Sequence, residues 1–254
     1  MLLLIDAGNT RVKWALADGK AAPGTWTASG MVEHARLQEL GAAWSESGAQ
    51  RVLVSNVAGA AMRATLEQLL RDAARVDAAR IEWFASVPER AGVTNGYRNP
   101  AQLGCDRFAS AIGAHALYPG TPLLVATCGT ATTVDAVTAD GRFIGGMILP
   151  GLGLMASSLA KNTAQLPQIA HDLDIADPFA DYTDAAIASG CLAAQAGAIE
   201  RAADALARRA GVPHCLISGG AAALISPHLK VAHEKIDNLV LIGLHAAATH
   251  PAAS

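Results

Sequence analysis

One pattern occurs twice in the chain and constrains its fold more than any other feature: an apolar run, a turn with glycine at a fixed position, and a second extended run. The first copy is LLIDAGNT at residues 3–10, and the second is LVATCGTA at residues 124–131. Apolar runs of this length that end in a glycine turn predict buried strands. Two interpretations stay open: two hydrophobic hairpins that are alike by chance, or a duplicated domain with two facing phosphate-binding hairpins.

The rest of the first half alternates between predicted strands and predicted helices. Residues 2–17 predict a hairpin and residues 51–57 a further strand, while residues 33–48 and 60–79 have apolar side chains at helical spacing. This alternation predicts an α/β fold in which helices cover a mixed sheet.

A helix is predicted from 100 to 117, because Asn99 suits a helix cap and Pro100 suits the first helical position. The segment YPGTP then interrupts the helix and marks a domain boundary. Residues 1–118 are therefore the predicted N-terminal half, and residues 119–254 are the predicted C-terminal half.

The second half contains an unusual glycine-rich run and two predicted helices. The run GGMILPG at residues 145–151 is too rich in glycine for a plain strand, which suggests backbone that lies close to a ligand or to another element. A long helix is predicted over 184–209, with Thr183 as its cap and Gly211 just past its end. A last helix is predicted over 238–249.

The composition allows a large buried core and argues against several classes of protein. Of the 254 residues, 52% are hydrophobic and 16% are charged, and the net charge of −3 is not the basic balance of a nucleic-acid-binding protein. The four cysteines show neither metal-binding spacing nor the density of a disulfide framework.

No signal peptide is expected, because Asp6 interrupts the first apolar run, and no apolar run is long enough for a membrane span. The expected location is the cytoplasm.

The first glycine turn has the residue types that phosphate binding requires. Gly8 lets the backbone approach a phosphate without a side chain in the way, and Asn9 and Thr10 add polar contacts. Asp6 directly follows a buried strand and suits a hydrated Mg²⁺ ion, and Lys13 lies within reach of the same phosphates. An ordinary polar hairpin turn is the alternative interpretation.

Two further segments are candidate functional sites. The sequence GTATT at residues 129–133 is the matching turn of the second hairpin, and a threonine-rich strand is its alternative interpretation. Asp106 and Arg107 are placed about two turns into the predicted helix. There, a solvated ion pair on the helix surface is the alternative to a catalytic role.

Taken in order, these motifs resemble those of the type III pantothenate kinase family. The matching segments are DxGNTxxK at residues 6–13, GxDR at 104–107, GTATT at 129–133, GGxIxPG at 145–151 and TxxAIxSG at 183–190. Each segment is short, and their occurrence in this order through essentially the whole chain makes the likeness specific.

The resemblance implies a two-domain actin-like ATPase fold, also called ribonuclease H-like, built from duplicated halves. It implies transfer of the γ-phosphate of ATP to the primary hydroxyl of pantothenate, the first committed step of coenzyme A biosynthesis. Mg²⁺ would accompany ATP, and K⁺ or NH₄⁺ would serve as a monovalent cation. The chain would form a homodimer with active sites at the subunit interface.

The resemblance also assigns roles to individual residues. The ATP-binding residues that it implies are Asp6, Ala7, Gly8, Asn9, Thr10, Arg11, Val12, Lys13 and Thr130. The pantothenate-binding residues that it implies are Tyr97, Gly104, Cys105, Asp106, Arg107 and Thr183. Asp106 would be the general base, and Asp6 would hold Mg²⁺ through ATP.

One position departs from the family. The family commonly has an aspartate that serves the monovalent cation, two residues before the glycine of the second hairpin, and this chain has Thr127 there. Asp135, on the return strand, is not expected to take its place. The resemblance therefore does not carry the cation site over to this chain.

Two other functions are compatible with such a fold. One is an actin-like kinase for a sugar or for acetate, which should lack the GxDR segment. The other is a non-catalytic regulatory accessory protein that keeps the fold and binds metabolites or partners. The presence of Asp6, Lys13 and Asp106 favours the enzyme.

Overall fold

The computed structural model describes residues 1–162 and 177–250. The chain forms two compact units. The first unit contains residues 1–120, residues 140–144 and the described residues from Asn238 onwards. The second unit contains residues 121–139 and the described residues of the range 145–237.

Strands and helices alternate along the described residues. The strands are β1 (Leu2–Ala7), β2 (Arg11–Ala17), β3 (Ala28–Glu33), β4 (Arg51–Asn56), β5 (Ile81–Trp83), β6 (Glu89–Arg90), β7 (Val93–Asn95), β8 (Leu123–Cys128), β9 (Ala131–Val137), β10 (Arg142–Pro150), β11 (His214–Ser218) and β12 (His233–Lys235). The helices are α1 (Glu39–Trp44), α2 (Gly59–Asp72), α3 (Cys105–Leu117), α4 (Leu152–Asn162), α5 (Thr183–Ala210), α6 (Ala222–Ile225) and α7 (Leu239–Thr249).

The first unit is built on a five-stranded sheet with the strand order β3-β2-β1-β4-β5. The central strand β1 pairs antiparallel with β2 and parallel with β4. Leu3 and Ile5 on β1 belong to a buried cluster that includes Leu66 of α2, and Leu4 is equally buried. Helix α7 also contacts β1. A strand covered in this way is apolar at successive positions, which explains the unbroken apolar run in the sequence.

Helices α3 and α7 of the first unit pack at a very close backbone approach. A Cβ atom at Gly113 would lie 2.5 Å from the carbonyl oxygen of Leu239, and a Cβ atom at Gly243 would overlap the carbonyl oxygen of Ala109. A residue without a side chain is therefore needed on both sides of this contact.

Two arginines bind the C-terminal end of α7. Arg51 Nη1 donates to the Ala248 carbonyl oxygen at 3.0 Å, and Arg90 Nη2 donates to the Ala247 carbonyl oxygen at 3.2 Å. Glu82 pairs with both guanidinium groups at 2.6 Å. Because the last carbonyls of a helix lack helical partners and carry partial negative charge, two cations are well placed here.

The second unit contains a hairpin that repeats the first one. β8 and β9 pair antiparallel, and β8 has the same succession of buried and half-buried positions as β1. Ala7 opposes Val12 in the first hairpin, whereas Cys128 opposes Thr132 in the second, so the second turn is one residue shorter. β8 lies between β9 and β11 in the sheet, and α5 packs against the hairpin.

Most of the predicted elements are confirmed. The hairpin over residues 2–17, the strand over 51–57 and the helix over 238–249 appear within about two residues of their predicted bounds. All four cysteines are free thiols. Within the part of the chain that the structure describes, no helix is long and apolar enough to cross a membrane.

The prediction of one continuous helix over 100–117 was wrong. Asn99 caps a short 3₁₀ turn, Pro100–Gln102, by accepting a hydrogen bond from the amide of Ala101. Leu103 and Gly104 then have extended backbone, with ψ of 130° and 133°, and α3 begins only at Cys105. Asp106 therefore lies in the first turn of its helix and not two turns into it.

Four further predictions differ from the structure. The glycine-rich run forms most of the strand β10, in which Gly145 has a φ of 134°. The close backbone approach that its glycines predict occurs at Gly151, which lies against the backbone of Gly129 and Thr130. Thr183 is the first helical residue of α5, and Tyr182 occupies the cap position. The predicted helices over 33–48 and 60–79 are shorter, because a 3₁₀ turn precedes α1 and α2 ends at Asp72.

The domain boundary between residues 118 and 119 stays a prediction. In the structure the described residues from Asn238 group with the first unit, because α7 packs on α3.

Candidate active site

Polar side chains occupy the end of the central strands in the first unit. Asp6 on β1 lies in register with Lys13 on β2 and with Ser55 on β4. Away from this end, the residues of the three strands are mostly buried in the core, so this end is where the sheet changes from apolar to polar.

The first turn of α3 is attached to the same end of the sheet. Ser55 Oγ and Cys105 Sγ lie 3.4 Å apart, and the Cys105 thiol also donates to the carbonyl oxygen of Asn56 at 3.7 Å. Since β4 pairs with β1, these contacts bring Asp106 to the neighbourhood of Asp6. Burial raises the pKa of the Cys105 thiol, which keeps it neutral at pH 7.

The two carboxyl groups of this site influence each other. The pKa of Asp6 is raised to about 7, first by burial and then by the negative charge of Asp106, against the opposing effect of Lys13. The pKa of Asp106 is also raised by burial, although the amide and the positive charge of Arg107 oppose the increase. Two carboxylates with raised pKa values form a site that gains free energy when it receives a proton or a cation.

Gly104 leaves the space that the Asp106 carboxylate occupies. A Cβ atom at Gly104 would lie 2.7 Å from Asp106 Oδ1, and the same oxygen accepts a hydrogen bond from the amide of Arg107 at 2.8 Å. A larger residue at position 104 would therefore displace the carboxylate from its hydrogen bond.

The glycine turn of the first hairpin is closed by hydrogen bonds. The Gly8 amide donates to the Arg11 carbonyl oxygen at 3.1 Å, and the Nε2 atom of His34 lies 2.9 Å from the carbonyl oxygen of Gly8. Asn9 and Thr10 are exposed at the tip of the turn. These bonds fix the shape of the turn, which allows its exposed tip to face a phosphate.

The residues that flank this turn differ in what they can offer a ligand. Ala7 and Val12 are fully buried, so they support the turn from below and present no side chain to a ligand. Lys13 is half-buried and its charge reaches the Asp6 carboxylate.

Arg107 is a buried cation beside an aromatic pair. It is only 7% exposed, and its Nη1 atom donates to the hydroxyl of Tyr97 at 2.9 Å. Its guanidinium carbon lies 5.8 Å from the ring centres of both Tyr97 and Phe143. Asp106, Arg107 and Tyr97 are thus brought together with Asp6 and Lys13 in the first unit.

The other candidate residues belong to the second unit. Thr130 is exposed at the turn of the second hairpin, and its carbonyl oxygen accepts a hydrogen bond from the Gly151 amide at 2.9 Å. Thr183 lies beside an apolar groove of about 870 Å³ between α4 and α5, which Leu154 and Ile187 also line.

The face of the second hairpin that includes Thr127 carries other oxygen-bearing side chains. Thr127 opposes Thr133, and the next pair on the same face is Val125 with Asp135. Asp135 is only 1% exposed. Along this face, Thr127 and Asp135 are diagonal neighbours, which is closer than their separation in the sequence suggests.

The donor set suits a hydrated magnesium ion and not a cage formed by the protein alone. Asp6 supplies a carboxylate oxygen next to the glycine turn. In residues 1–162 and 177–250, no three His, Cys, Asp or Glu side chains form a metal-binding cluster. Mg²⁺ commonly takes one or two carboxylates and completes its shell with water and phosphate oxygens.

Sequence analysis missed Ser55, His34 and Phe143. For Ser55 a signal exists, since a polar pair ends the buried strand RVLVSN. For His34 and Phe143 no local signal exists, because their contacts with Gly8 and Arg107 are made between segments far apart in the chain.

A mixed α/β chain with a similar glycine-turn hairpin in each of its two units has the actin-like class of fold. A Campylobacter jejuni protein assigned to the Baf family of transcriptional activators has a similar structure, with a TM-score of 0.62, 16% identity and 95% and 94% of the two chains covered. A Sinorhizobium meliloti protein assigned as a 2-dehydro-3-deoxygalactonokinase gives a TM-score of 0.55 at 19% identity, with 98% of each chain covered.

The sequence comparisons identify the family within this class. The sequence model described as type III pantothenate kinase matches residues 2–205. The type III pantothenate kinase of Herminiimonas arsenicoxydans is 60% identical over 255 residues, which cover 98% of each chain. The chain belongs to the type III pantothenate kinase family.

Proposed function

We propose that this chain transfers the γ-phosphate of ATP to the primary hydroxyl of pantothenate and so catalyses the first step of coenzyme A biosynthesis. Membership of the family supports this proposal. The structural observation that carries it is the placement of Asp106, at the start of α3, near enough to Asp6, at the end of β1, for its negative charge to raise the pKa of Asp6.

Asp106 is the proposed general base. A base works best when its pKa approaches the working pH, and burial raises the pKa of Asp106 in that direction. The hydrogen bond from the Arg107 amide fixes one carboxylate oxygen, Oδ1. The other oxygen, Oδ2, is then the candidate acceptor of the pantothenate hydroxyl proton. Gly104 and Cys105 place this carboxylate, and Tyr97, Arg107 and Thr183 are the remaining proposed contacts with pantothenate.

The hairpin residues 6–13 are the proposed site for the ATP phosphates, with Thr130 as a second contact. Ala7 and Val12 are buried and Gly8 shapes the turn, whereas Asn9, Thr10 and Arg11 present exposed side chains. Lys13 adds a positive charge. Asp6 would hold hydrated Mg²⁺, which offsets the phosphate charge when it is bound. Because the reaction consumes ATP, a cytoplasmic enzyme remains the expectation.

A monovalent cation, K⁺ or NH₄⁺, is proposed to bind weakly at the second hairpin. Thr127 and Thr133 offer neutral hydroxyl oxygens, and Asp135 is the carboxylate on the same face.

The proposed homodimer uses α5, where the small residues Ala186 and Gly190 line the apolar groove of the second unit.

The direct test is phosphate transfer by the purified protein with ATP and Mg²⁺. We expect phosphorylated pantothenate as the product, with one ADP released per pantothenate consumed. A sugar acid, acetate and a mixture without acceptor are the controls. Turnover with one of those acceptors but not with pantothenate would indicate a different actin-like kinase. ATP binding without turnover of any acceptor would indicate the accessory protein.

A further inference from the structure

Asn95 is a polar residue in a position that the fold reserves for the core. It ends β7, in which Val93 is fully buried, Thr94 is exposed and Asn95 is 7% exposed. This alternation points the Asn95 side chain inward, towards the side of Val93. A buried amide is costly unless its hydrogen bonds are made, so its presence there calls for a specific partner.

Both ends of the Asn95 amide are bonded to the loop that follows. Its Oδ1 atom accepts from the amide of Tyr97 at 3.1 Å, and its Nδ2 atom donates to the Pro100 carbonyl oxygen at 3.1 Å. The two partners also fix which way the amide faces, since one is a donor and the other an acceptor. One side chain therefore closes the loop from residue 96 to residue 100.

The loop closed by Asn95 carries Tyr97 to its place beside Arg107. Next to Asn95, the Gly96 amide donates to the carbonyl oxygen of Phe143 at 2.8 Å, and a Cβ atom at Gly96 would overlap that oxygen. The Phe143 ring then meets the Tyr97 ring edge-on at 5.8 Å. The Tyr97 hydroxyl completes the arrangement by accepting the hydrogen bond from Arg107.

We propose that Asn95 is a positioning residue that holds Tyr97 against Arg107 and so sets the affinity for the acceptor substrate. The proposal rests on the proposed function, in which Tyr97 and Arg107 contact pantothenate. Asn95 acts through these two residues, since the hydrogen bonds of its side chain go to Tyr97 and Pro100 and not to Asp6 or to the glycine turn proposed for ATP. Its loss should therefore impair pantothenate use and spare ATP use.

The test compares Asn95→Ala and Asn95→Leu with the wild-type protein, Leu being a variant that fills the same space. We expect the KM for pantothenate to rise on the order of 10- to 100-fold, because small misplacements of binding groups carry costs of this size. The KM for ATP should stay within about threefold of the wild-type value. An equal loss for both substrates, together with a lower Tm, would mean that Asn95 only stabilises the fold, and would overturn the proposal.

Two matched variants sharpen the comparison. Asn95→Asp keeps the acceptor for the Tyr97 amide but places a carboxylate oxygen against the Pro100 carbonyl oxygen, so it should restore the pantothenate affinity only in part. Asn99→Ala removes the cap of the adjacent 3₁₀ turn, an exposed side chain that does not contact Tyr97, and should leave the KM for pantothenate near normal. If Asn99→Ala raises the KM for pantothenate as much as Asn95→Ala does, the effect is not specific to Asn95 and the proposal fails.

A double-mutant cycle with Tyr97→Phe separates an effect through Tyr97 from an independent one. If Asn95 places the Tyr97 hydroxyl on Arg107, Asn95→Ala should raise the KM for pantothenate much less in the Tyr97→Phe background. The same rise in both backgrounds would refute action through Tyr97. Measurements on the wild-type protein separate the two proposals. If the wild-type protein does not phosphorylate pantothenate, the proposed function is wrong. If it does, and Asn95→Ala has a normal KM for pantothenate, only the proposed role of Asn95 is wrong.

Discussion

Asp106 accepts the proton of the pantothenate hydroxyl in the proposed reaction, so Asp106→Asn should keep the shape of the site and remove the base. A positioned general base contributes ~10²–10⁴-fold, and kcat should fall by that factor while ATP binding is retained. Asp6→Asn should instead raise the KM for Mg·ATP. Steady-state kinetics with both substrates varied distinguishes the two effects.

The control for Asp106→Asn is Glu39→Gln, which also removes an acidic side chain from the first turn of a helix, but on the surface of the first unit. It should leave kcat unchanged. Near-normal kcat in a folded Asp106→Asn protein would remove Asp106 from the mechanism.

Thr127 predicts a weak response to monovalent cations. A carboxylate a few ångströms from a cation is worth ~4 kcal/mol at an effective dielectric constant near 20, before desolvation is subtracted, and a hydroxyl supplies no such charge. We expect half-maximal activation by K⁺ only at high concentration, and a stronger response after Thr127→Asp. The measurement is activity against K⁺ concentration at constant ionic strength.

A tight, saturable K⁺ response in the wild type that Thr127→Asp does not change would place the cation elsewhere. Asp135, the diagonal neighbour on the same face, is the first residue to examine in that case. Asp135→Asn should then abolish the response.

At the scale of elements, the close contact between α3 and α7 predicts that replacing its glycines by residues with a side chain lowers the stability of the protein. Gly243→Ala would drive a methyl group into the backbone of α3 at Ala109, and overpacking of this kind costs ~1–3 kcal/mol. Gly41→Ala, in α1, is the control, because its Cβ atom would meet only the Ala73 methyl at 3.5 Å. Urea unfolding of both variants measures the difference, and equal stability would contradict the packing.

His245 on α7 predicts a fall in stability at acid pH. It is fully buried, its Nε2 atom lies 3.1 Å from the carbonyl oxygen of Asp18, and burial lowers its pKa. The unfolded chain, with a histidine pKa near 6.5, then binds more protons than the folded protein below that pH. The free energy of unfolding should therefore drop as pH falls below about 6.5, by at most ~1.4 kcal/mol per pH unit for this residue.

The His245→Gln variant isolates this contribution. Its free energy of unfolding should decline less steeply than that of the wild type between about pH 6.5 and 5. The comparison is necessary because His115, whose pKa is also lowered, acts in the same direction, whereas Asp6, whose pKa is raised, acts in the opposite one. Identical pH profiles for variant and wild type would show that His245 does not contribute.

The sequence predicts the elements better than their ends. The paired hairpins are predictable because an unbroken apolar run beside a glycine turn is compatible with few structures other than a buried strand and a turn. The break before α3 is not, since Asn99 and Pro100 are equally suited to a 3₁₀ turn and to an α-helix. The residues of the candidate site also differ in how well the sequence predicts them. Asp6, Asp106 and Arg107 lie in short motifs that can be read from the sequence. The role of Asn95 cannot be read there, because it depends on which loop folds back onto it.

At the scale of the whole molecule, the apolar groove of the second unit supports the predicted homodimer. Leu154 and Leu159 in the groove are 51% and 39% exposed in the single chain, and a second copy would cover such side chains. Light scattering at low micromolar concentration should give about twice the chain mass of 26.0 kDa. An active protein at the mass of a single chain would rule out an obligatory dimer.

A pair of charge substitutions tests where the dimer forms. Gly190→Arg, in the groove, should produce monomers. Val212→Arg is the control, because Val212 is 85% exposed and lies outside the groove. Dimers that persist in the Gly190→Arg variant would place the interface elsewhere on the surface.

The packing of α7 on α3 also sets an order of events during synthesis. The ribosome makes α3 long before α7, and at ~5–20 residues per second the delay is on the order of 10 s. During this time the face of α3 at Ala109 and Gly113 is uncovered, and the helix that carries Asp106 is held only by contacts made earlier in the chain, such as that of Cys105 with Ser55. Nascent chains that stop before Leu239 should therefore be less stable than chains that include α7, because the packing of α7 on α3 is missing from them.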